Sequence, residues 1–431
     1  MQVIEYPGRE AWTQFLKRPS IEKRELEKTV RSILAAVRQG GDAALREFSK
    51  KFDGVQLNSL DISPEDLQDV DRQVDTDLQQ AIDLARQNIR RFHRRQLDKT
   101  VKVETMPGVI CWRRSVPIER VGLYIPGGTA PLFSSVLMLA IPALIAGCRE
   151  IVLCTPPDRE AKIHPTILYT AKLLGLRKIY RVGGAQAIAA MAYGTESIPQ
   201  VDKIFGPGNQ YVTMAKQIVS SEGVAIDMPA GPSEVAVIAD ASADPEFVAA
   251  DLLSQAEHGA DSQVILATDS RDLLEKVQQC VRRQLADLPR RKIAEAALAN
   301  SRLVLLSNPE EALEIVNFYA PEHLILMTAN AEEMAQGVIN AGSVFIGAYT
   351  PEAAGDYASG TNHTLPTNGY ARSYSGVSLD SFVKKITFQQ IDAAGIRRLG
   401  PAIESMARAE ELEAHARAVG IRLRSLAKEA S

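Results

Sequence analysis

Residues 121–219 carry the pattern that decides the fold, because three apolar runs there end in glycine turns: VGLYIPGG at 121–128, KIYRVGG at 178–184 and KIFGPG at 203–208. A fourth apolar run occupies residues 150–154, and a helical pattern follows each of the four. Consecutive parallel strands need a crossover, usually a helix, to connect them. The pattern therefore predicts a mainly parallel sheet in an α/β fold.

The glycine turns indicate a ligand crevice at the ends of these strands. Glycine lets a backbone approach a ligand closely, and the helix N-termini that follow attract phosphate. None of the three turns has the GxGxxG or GxxxxGK[ST] spacing of nucleotide-binding loops. From the spacing alone the ligand stays open, with a dinucleotide as one alternative.

A second group of strands follows the first and indicates a second lobe. Its strand patterns lie at 233–239, 263–268, 303–306, 324–327 and 343–346. A chain of 431 residues is also too long for one simple core, so two or more lobes are expected. Before both groups lie helical patterns, the last running from residue 63 towards 97 and ending in RRFHRR at 90–95. Basic residues are favoured at a helix C-terminus, so we expect His93 to be solvated there.

Composition excludes several classes of protein. The chain has 45% hydrophobic and 24% charged residues, as ordinary globular proteins do, and a net charge of −4 favours neither nucleic acid nor an anionic membrane. Its longest apolar run, at 136–147, is too short to span a bilayer. The first 30 residues lack the apolar core of a signal peptide, and the four cysteines show no CxxC spacing. We therefore expect a cytoplasmic protein.

The segment DLLSQAEHG at 251–259 carries a possible half of a metal site. Asp244-Pro245 provides a cap and a first-turn proline for a helix that Gly259 would end. Gln255 and His258 are then three residues apart on one face of its last turn, where the helix dipole favours a cation. The alternative is a polar helix end with a solvated histidine, since glutamine is an uncommon metal ligand.

Two further clusters carry side chains suited to chemistry. In APEHL at 320–324, a turn at Pro321 would allow Glu322 and His323 to converge as an acid–base pair. In GDYASGTNHTLPT at 355–367, Asp356 and His363 could bind a ligand within an ordered loop. Either cluster could instead be a capped loop held by its own hydrogen bonds.

With these segments in view, the chain resembles the histidinol dehydrogenase family over essentially its whole length. The resemblance is carried by RVGLYIPGG (120–128), RVGGAQAIAA (181–190), KIFGPGNQYV (203–212), DMPAGPSEV (227–235), DLLSQAEHG (251–259), YAPEHL (319–324) and GDYASGTNHTLPT (355–367). It implies a zinc- and NAD-dependent enzyme that oxidises L-histidinol through the aldehyde to L-histidine. The absence of GxGxxG agrees with the unusual way in which this family binds NAD.

The resemblance also implies the site residues and an assembly. One zinc ion per subunit would be bound by Gln255, His258, Asp356 and His415, and the acid–base pair would be Glu322 and His323. The substrate would also contact Ser233, His363 and Glu410, and NAD would contact Tyr124, Gln186 and Asn209. His415 lies in a C-terminal helical pattern at 403–427, and a lone histidine on a helix is not usually a ligand. The family's terminal segments exchange in a homodimer, so His415 would come from the partner subunit.

The implied fold consists of two lobes with incomplete Rossmann-like sheets. The N-terminal arm would comprise residues 1–20, and the first lobe, with most of the zinc and catalytic site, residues 21–120 and 235–378. The second lobe, on the NAD side, would comprise residues 121–234, followed by a helical tail at 379–431.

Three other functions remain open from the residues alone. One is a metal-assisted NAD alcohol dehydrogenase with another substrate, and a second is a zinc hydrolase with Glu322 as the base. A third is an α/β solute-binding protein, for which an export signal is expected. Reduction of NAD by histidinol would separate the proposed dehydrogenase from all three.

Overall fold

The computed structural model describes residues 1–19, 23–127, 131–229 and 231–429, and these form two compact units. The large unit contains residues 1–96 and 118–382, and the small unit contains residues 97–117 and 383–431. Gly128, in the first predicted glycine turn, lies outside the described residues. Among the helices that are described, none is both long and apolar enough to cross a membrane.

The strands are β1 (Gln2–Glu5), β2 (Lys102–Met106), β3 (Val109–Pro117), β4 (Arg120–Tyr124), β5 (Glu150–Thr155), β6 (Lys178–Arg181), β7 (Lys203–Phe205), β8 (Ala225–Ile226), β9 (Glu234–Ala239), β10 (Gln263–Thr268), β11 (Arg302–Leu305), β12 (His323–Met327), β13 (Ser343–Ile346) and β14 (Val383–Ile391). The α-helices are α1 (Trp12–Phe15), α2 (Lys23–Phe48), α3 (Thr76–Arg94), α4 (Phe133–Ala146), α5 (Pro165–Leu173), α6 (Gly184–Tyr193), α7 (Gln210–Ser221), α8 (Pro245–Ala256), α9 (Arg271–Ala286), α10 (Arg291–Ala299), α11 (Pro309–Tyr319), α12 (Ala331–Ala335), α13 (Glu352–Tyr357), α14 (Ala393–Ala409) and α15 (Glu413–Lys428).

A six-stranded parallel sheet forms one half of the large unit, in the order β1-β11-β10-β9-β12-β13. Its central strands are buried on both faces, which explains their nearly continuous apolar sequences. Helices α8, α9 and α10 cover one face, and α1, α11 and α12 cover the other. The predicted strands of the second group all belong to this sheet.

A five-stranded parallel sheet forms the other half, in the order β6-β5-β4-β7-β8. Helices α2, α6 and α7 pack on one face, while α3, α4 and α5 pack on the other. The four predicted strand–turn–helix units are all present. The prediction of an α/β fold with two incomplete, mainly parallel sheets is confirmed.

The N-terminal third differs from the expected division into lobes. Residues 2–5 do not form a separate arm but add the edge strand β1 to the six-stranded sheet. Helices α2 and α3, expected in the first lobe, bury their apolar faces against the five-stranded sheet and its helices. An amphipathic pattern predicts a buried face but not which sheet will cover it, so the sequence could not decide this point.

Two local predictions in the helices are also wrong. The helix expected from residue 63 begins only at Thr76, with Asp75 as its N-cap. His93, expected to be solvated, is fully buried, and its Nδ1 lies 2.9 Å from the carbonyl oxygen of Ile89. The ring faces the apolar side of α3, and burial lowers its pKa.

The small unit has a three-stranded antiparallel sheet, in the order β14-β3-β2, and two helices that pack on each other, α14 and α15. The single C-terminal helix expected at 403–427 is interrupted at residues 410–412, where Glu411 adopts a φ of +61°. Glu410 is the residue directly after α14, and His415 lies in the first turn of α15.

The turn after β7 requires glycine at position 206, and this requirement is testable. Gly206 has a φ of +128°, and a Cβ there would collide with the backbone carbonyl of Tyr124. Gly223 also has a positive φ, +105°, but no atom lies within 4 Å of its Cβ position. We expect Gly206→Ala to lower the free energy of unfolding by at least about 2 kcal/mol more than Gly223→Ala, measured by denaturant titration. Equal losses would show that the collision is relieved without cost.

Candidate active site

The candidate site lies at the amino ends of β9 and β12. These neighbouring strands run parallel and begin at Glu234 and His323, with His323 opposite Val235. Helix α8 follows β9 and returns antiparallel to it, so the C-terminal end of α8 reaches the same edge. Ligands of open parallel sheets usually bind at the carboxyl ends of the strands, so this position is unusual.

Gln255 lies in the last turn of α8 and is buried. Its Nε2 donates to the carbonyl oxygen of Glu234 at 3.2 Å and lies 3.0 Å from Nδ1 of His323. Its Oε1 is buried and has no hydrogen-bond partner within the described parts of the chain. A buried carbonyl oxygen with a free lone pair is suited to bind a cation, as predicted for Gln255.

His258 lies just beyond α8, which ends at Ala256, and not within its last turn as expected. The chain nevertheless continues to turn, because the N–H of His258 donates to the carbonyl oxygen of Gln255 at 3.3 Å. The two side chains therefore still belong to one turn at the end of the helix.

His258, Glu352 and Asp356 form a group that could hold a metal ion. One ligand atom from each lies within 4.8 Å of those of the other two. Glu352 and Asp356 are four residues apart on the short helix α13, on the same face. Imidazole and carboxylate ligands suit zinc, and Gln255 connects to the group through His323, whose Nε2 lies 3.6 Å from Asp356 Oδ1. These residues therefore fit a divalent cation.

Glu352 is the residue of this group that the sequence pattern did not indicate. It is buried, it accepts a hydrogen bond from the Ser254 hydroxyl at 3.3 Å, and burial raises its pKa to about 8. The available signal was the spacing of two acids four apart after Pro351, which starts the helix. Such pairs are common on exposed helix faces, so the spacing alone does not identify a buried carboxyl group.

Glu322 and His323, the predicted acid–base pair, lie close to each other at the start of β12. The chain turns at Ala320, which has a φ of +54°, and both side chains are buried. Glu322 Oε2 accepts from the N–H of Glu234 at 3.0 Å and lies 3.6 Å from His323 Nδ1. Burial raises the pKa of Glu322 to about 7. Burial lowers the pKa of His323, but the Glu322 and Asp356 carboxylates outweigh it and raise that pKa to about 10.

The other predicted substrate contacts lie in different places. Ser233 directly precedes Glu234, so the start of β9 brings it to the site. His363 contacts the carbonyl oxygen of Asp356 through Nδ1 at 3.0 Å and the Ser135 hydroxyl through Nε2 at 3.1 Å. Glu410 and His415 belong to the small unit.

The three residues predicted to contact NAD lie where the strands of the five-stranded sheet end. The Tyr124 hydroxyl accepts from the N–H of Gly184 at 3.1 Å, and burial raises the pKa of Tyr124 to about 12. Asn209 caps α7 by accepting from the N–H groups of Tyr211 and Val212, and Gln186 is buried within α6. The polar groups of Tyr124 and Asn209 thus each bind backbone N–H groups at a helix start.

The fold and site define an α/β enzyme with a buried acid–imidazole pair beside side chains suited to a metal ion. A sequence model of the family named histidinol dehydrogenase matches residues 16–423. Histidinol dehydrogenases of Bacteroides thetaiotaomicron and Vibrio parahaemolyticus are 61% and 52% identical to the chain, covering 99% and 95% of it and 100% and 95% of their own lengths. A crystal structure of histidinol dehydrogenase from Elizabethkingia anophelis has a TM-score of 0.97 at 54% identity, covering 99% of this chain and 98% of that one.

The chain belongs to the histidinol dehydrogenase family. It is an oxidoreductase of histidine biosynthesis, and the reaction is the oxidation of histidinol. The resemblance noted from the sequence is thereby confirmed.

The group around His258 leads to a prediction about metal binding. We expect His258→Asn to weaken the binding of divalent zinc by more than about 100-fold, because loss of a ligand should cost at least as much as loss of a residue that orients one. Metal analysis of the purified protein and titration against a chelator measure this.

His164→Asn is the matched control, since His164 caps α5 and asparagine also caps helices well. The control should keep its metal and both variants should remain folded, because each sheet has its own core. Normal zinc affinity in His258→Asn would remove this residue from the metal group.

Proposed function

We propose that this protein oxidises L-histidinol through L-histidinal to L-histidine, with NAD as cofactor and zinc as the resident metal. The observation that carries the proposal is the buried Glu322–His323 pair beside a group of metal-ligand side chains. An alcohol-to-acid oxidation needs a base for the alcohol and an activated water for the aldehyde, and this pair can provide both.

Zinc would be held by Gln255, His258 and Asp356, with His415 as the fourth ligand. The free Oε1 of Gln255 and the close approach of His258 to Asp356 support the first three. When bound, the ion would give the imidazole and amine of the substrate a fixed attachment point, and its charge beside Asp356 would lower the pKa of His323.

His323 would accept the hydroxyl proton of histidinol. An imidazole can act as a base only when it is neutral, so His323 needs the lower pKa that the charge of a bound zinc ion would give it. The ring is held between Gln255 Nε2 at 3.0 Å and the Glu234 carbonyl oxygen at 3.2 Å, both on its Nδ1 side. Its Nε2 lies 3.6 Å from Asp356 Oδ1 and has no hydrogen-bond partner among the residues described, so this nitrogen would take the substrate proton.

Glu322 would activate the water that attacks the aldehyde. A carboxyl group with a pKa of about 7 is partly ionised at neutral pH and can both accept and return a proton. Many aldehyde oxidations use a cysteine thiolate, but burial raises the pKa values of the Cys148, Cys154 and Cys280 thiols. This favours water, activated by the carboxyl group, as the nucleophile.

Tyr124, Gln186 and Asn209 would lie beside NAD at the ends of β4, β6 and β7, where the N-termini of α6 and α7 favour phosphate. When bound, NAD supplies the hydride acceptor for both oxidations. Ser233, His363 and Glu410 would bind the substrate.

The active form would be a cytoplasmic homodimer in which each site receives Glu410 and His415 from the partner subunit. The C-terminal residues 383–431 support this, because together with residues 97–117 they form a compact unit of their own. Exchange of such an element between two chains is a common way to build a two-fold dimer.

The role of Glu322 predicts unequal damage to the two half-reactions. We expect Glu322→Gln to slow oxidation of histidinal by about 100-fold or more and oxidation of histidinol much less, because only the aldehyde needs an activated water. The two substrates are assayed separately by the appearance of NADH.

Glu311→Gln provides the control, since the Glu311 carboxylate accepts from the N–H of Ser307 at the start of α11. It should behave like the unaltered protein. Equal losses with both substrates for Glu322→Gln would exclude a role confined to the water step.

The exchange of His415 is tested by mixing two inactive variants. His258→Asn and His415→Asn chains are unfolded and refolded together. In a hybrid dimer with His415 supplied by the partner, one site carries both defects and the other carries none. Random pairing makes half of the dimers hybrids, so about a quarter of all sites should be active. A mixture as inactive as its parents would mean that His415 serves its own chain.

A further inference from the structure

Arg18, in the segment that follows α1, has a partly buried side chain whose donors converge on the neighbours of the acid–base pair. Its Nε and Nη2 donate to the two carboxylate oxygens of Glu234 at 2.5 and 2.8 Å. Nη2 also donates to the carbonyl oxygens of Tyr319 at 2.8 Å and Ala320 at 3.3 Å. The guanidinium group lies 3.9 Å from the centre of the Tyr319 ring. One planar group thereby joins the start of β9 to the turn before β12.

Glu234 is in turn the residue whose backbone fixes the pair. Its N–H donates to Glu322 Oε2 at 3.0 Å, and its carbonyl oxygen lies 3.2 Å from both His323 Nδ1 and Gln255 Nε2. A second contact holds the Glu234 carboxylate, which accepts from the N–H of Asn368 at 2.8 Å. Movement of this one residue would therefore displace the acid and the base together.

The turn at Tyr319–Ala320 is the other element that sets the pair. Ala320 adopts a left-handed backbone conformation with a φ of +54°, which is unfavourable for a residue with a Cβ. Pro321, Glu322 and His323 follow directly. Since Arg18 binds the carbonyl oxygens of both Tyr319 and Ala320, it holds this turn in the conformation that directs Glu322 and His323 towards each other.

We propose that Arg18 is a positioning residue for the Glu322–His323 pair. The inference rests on the proposed function of that pair and adds a residue outside it. A buried ion pair contributes little net stability, because removing both charges from water offsets their attraction. The two-point contact with a carboxylate and the contacts with two carbonyl oxygens instead use the fixed, planar geometry of arginine, which lysine cannot reproduce.

The test is a double-mutant cycle between Arg18→Met and Glu322→Gln, with oxidation of histidinal as the reaction. We expect Arg18→Met alone to lower kcat by about tenfold or more and to change KM by less than about threefold, because the reacting groups lose their alignment. In the Glu322→Gln protein, the same substitution should cost less than about threefold, since the aligned carboxyl group is already lost.

Arg271→Met is the matched control. Arg271 binds Glu5 of β1 by two hydrogen bonds of 2.9 and 2.6 Å, so it ties the same N-terminal region to α9 at a different point. Its removal should leave both half-reactions within about twofold of the unaltered rates. If Arg18→Met does not fold, Arg18→Lys takes its place in the cycle, because it keeps the charge but not the two-point contact.

The outcomes separate the inference from the function on which it rests. Equal losses from Arg18→Met with and without Glu322, or no loss at all, would overturn the positioning role while leaving the role of Glu322 intact. A normal rate for Glu322→Gln alone would overturn the proposed function, and the positioning role with it. A loss that largely disappears in the Glu322→Gln protein supports the inference.

Discussion

Parallel pairing of β9 with β12 is the constraint on which the candidate site depends. The register places His323 opposite Val235, so the peptide groups of Glu234 meet both members of the acid–base pair. A slip by one residue would turn every side chain of β12 to the other face of the sheet. Apolar contacts on both faces of the sheet oppose such a slip, because the strand is buried throughout. The core of the six-stranded sheet therefore sets the geometry of a polar site at its edge.

Electrostatics at this edge are dominated by buried acids. Burial raises the pKa values of Glu322, Asp251 and Glu352, to about 7, 7 and 8 respectively. Burial acts to raise the pKa of Asp356 as well, but the interaction with His323 outweighs burial and lowers that pKa. Several carboxyl groups close together in a poorly solvated site repel one another when ionised, and a bound divalent cation offsets this repulsion. Such a site is suited both to a metal and to proton transfer near neutral pH.

The sequence predicted the parts of the structure that depend on local pattern. The four strand–turn–helix units have strong periodicity, three of them with glycine turns, and Pro321 indicated a turn before Glu322 and His323, which the structure places at Ala320. The sequence pattern did not reveal which sheet covers α2 and α3, because an apolar helix face does not specify the element that packs against it. It also did not predict the burial of His93, since the four arginines around it suggested an exposed helix end. Glu352 and Arg18 gain their significance from partners that lie far away along the chain: His258 for Glu352, and Glu234 and Tyr319 for Arg18.

We propose that one site completes both oxidations, and the ratio of NADH formed to histidinol consumed tests this most directly. The unaltered protein, loaded with zinc, is given a limiting amount of L-histidinol and an excess of NAD. If both oxidations occur at this site, two NADH form per histidinol, with L-histidine as the product. One NADH per histidinol, with histidinal accumulating, would contradict this proposal.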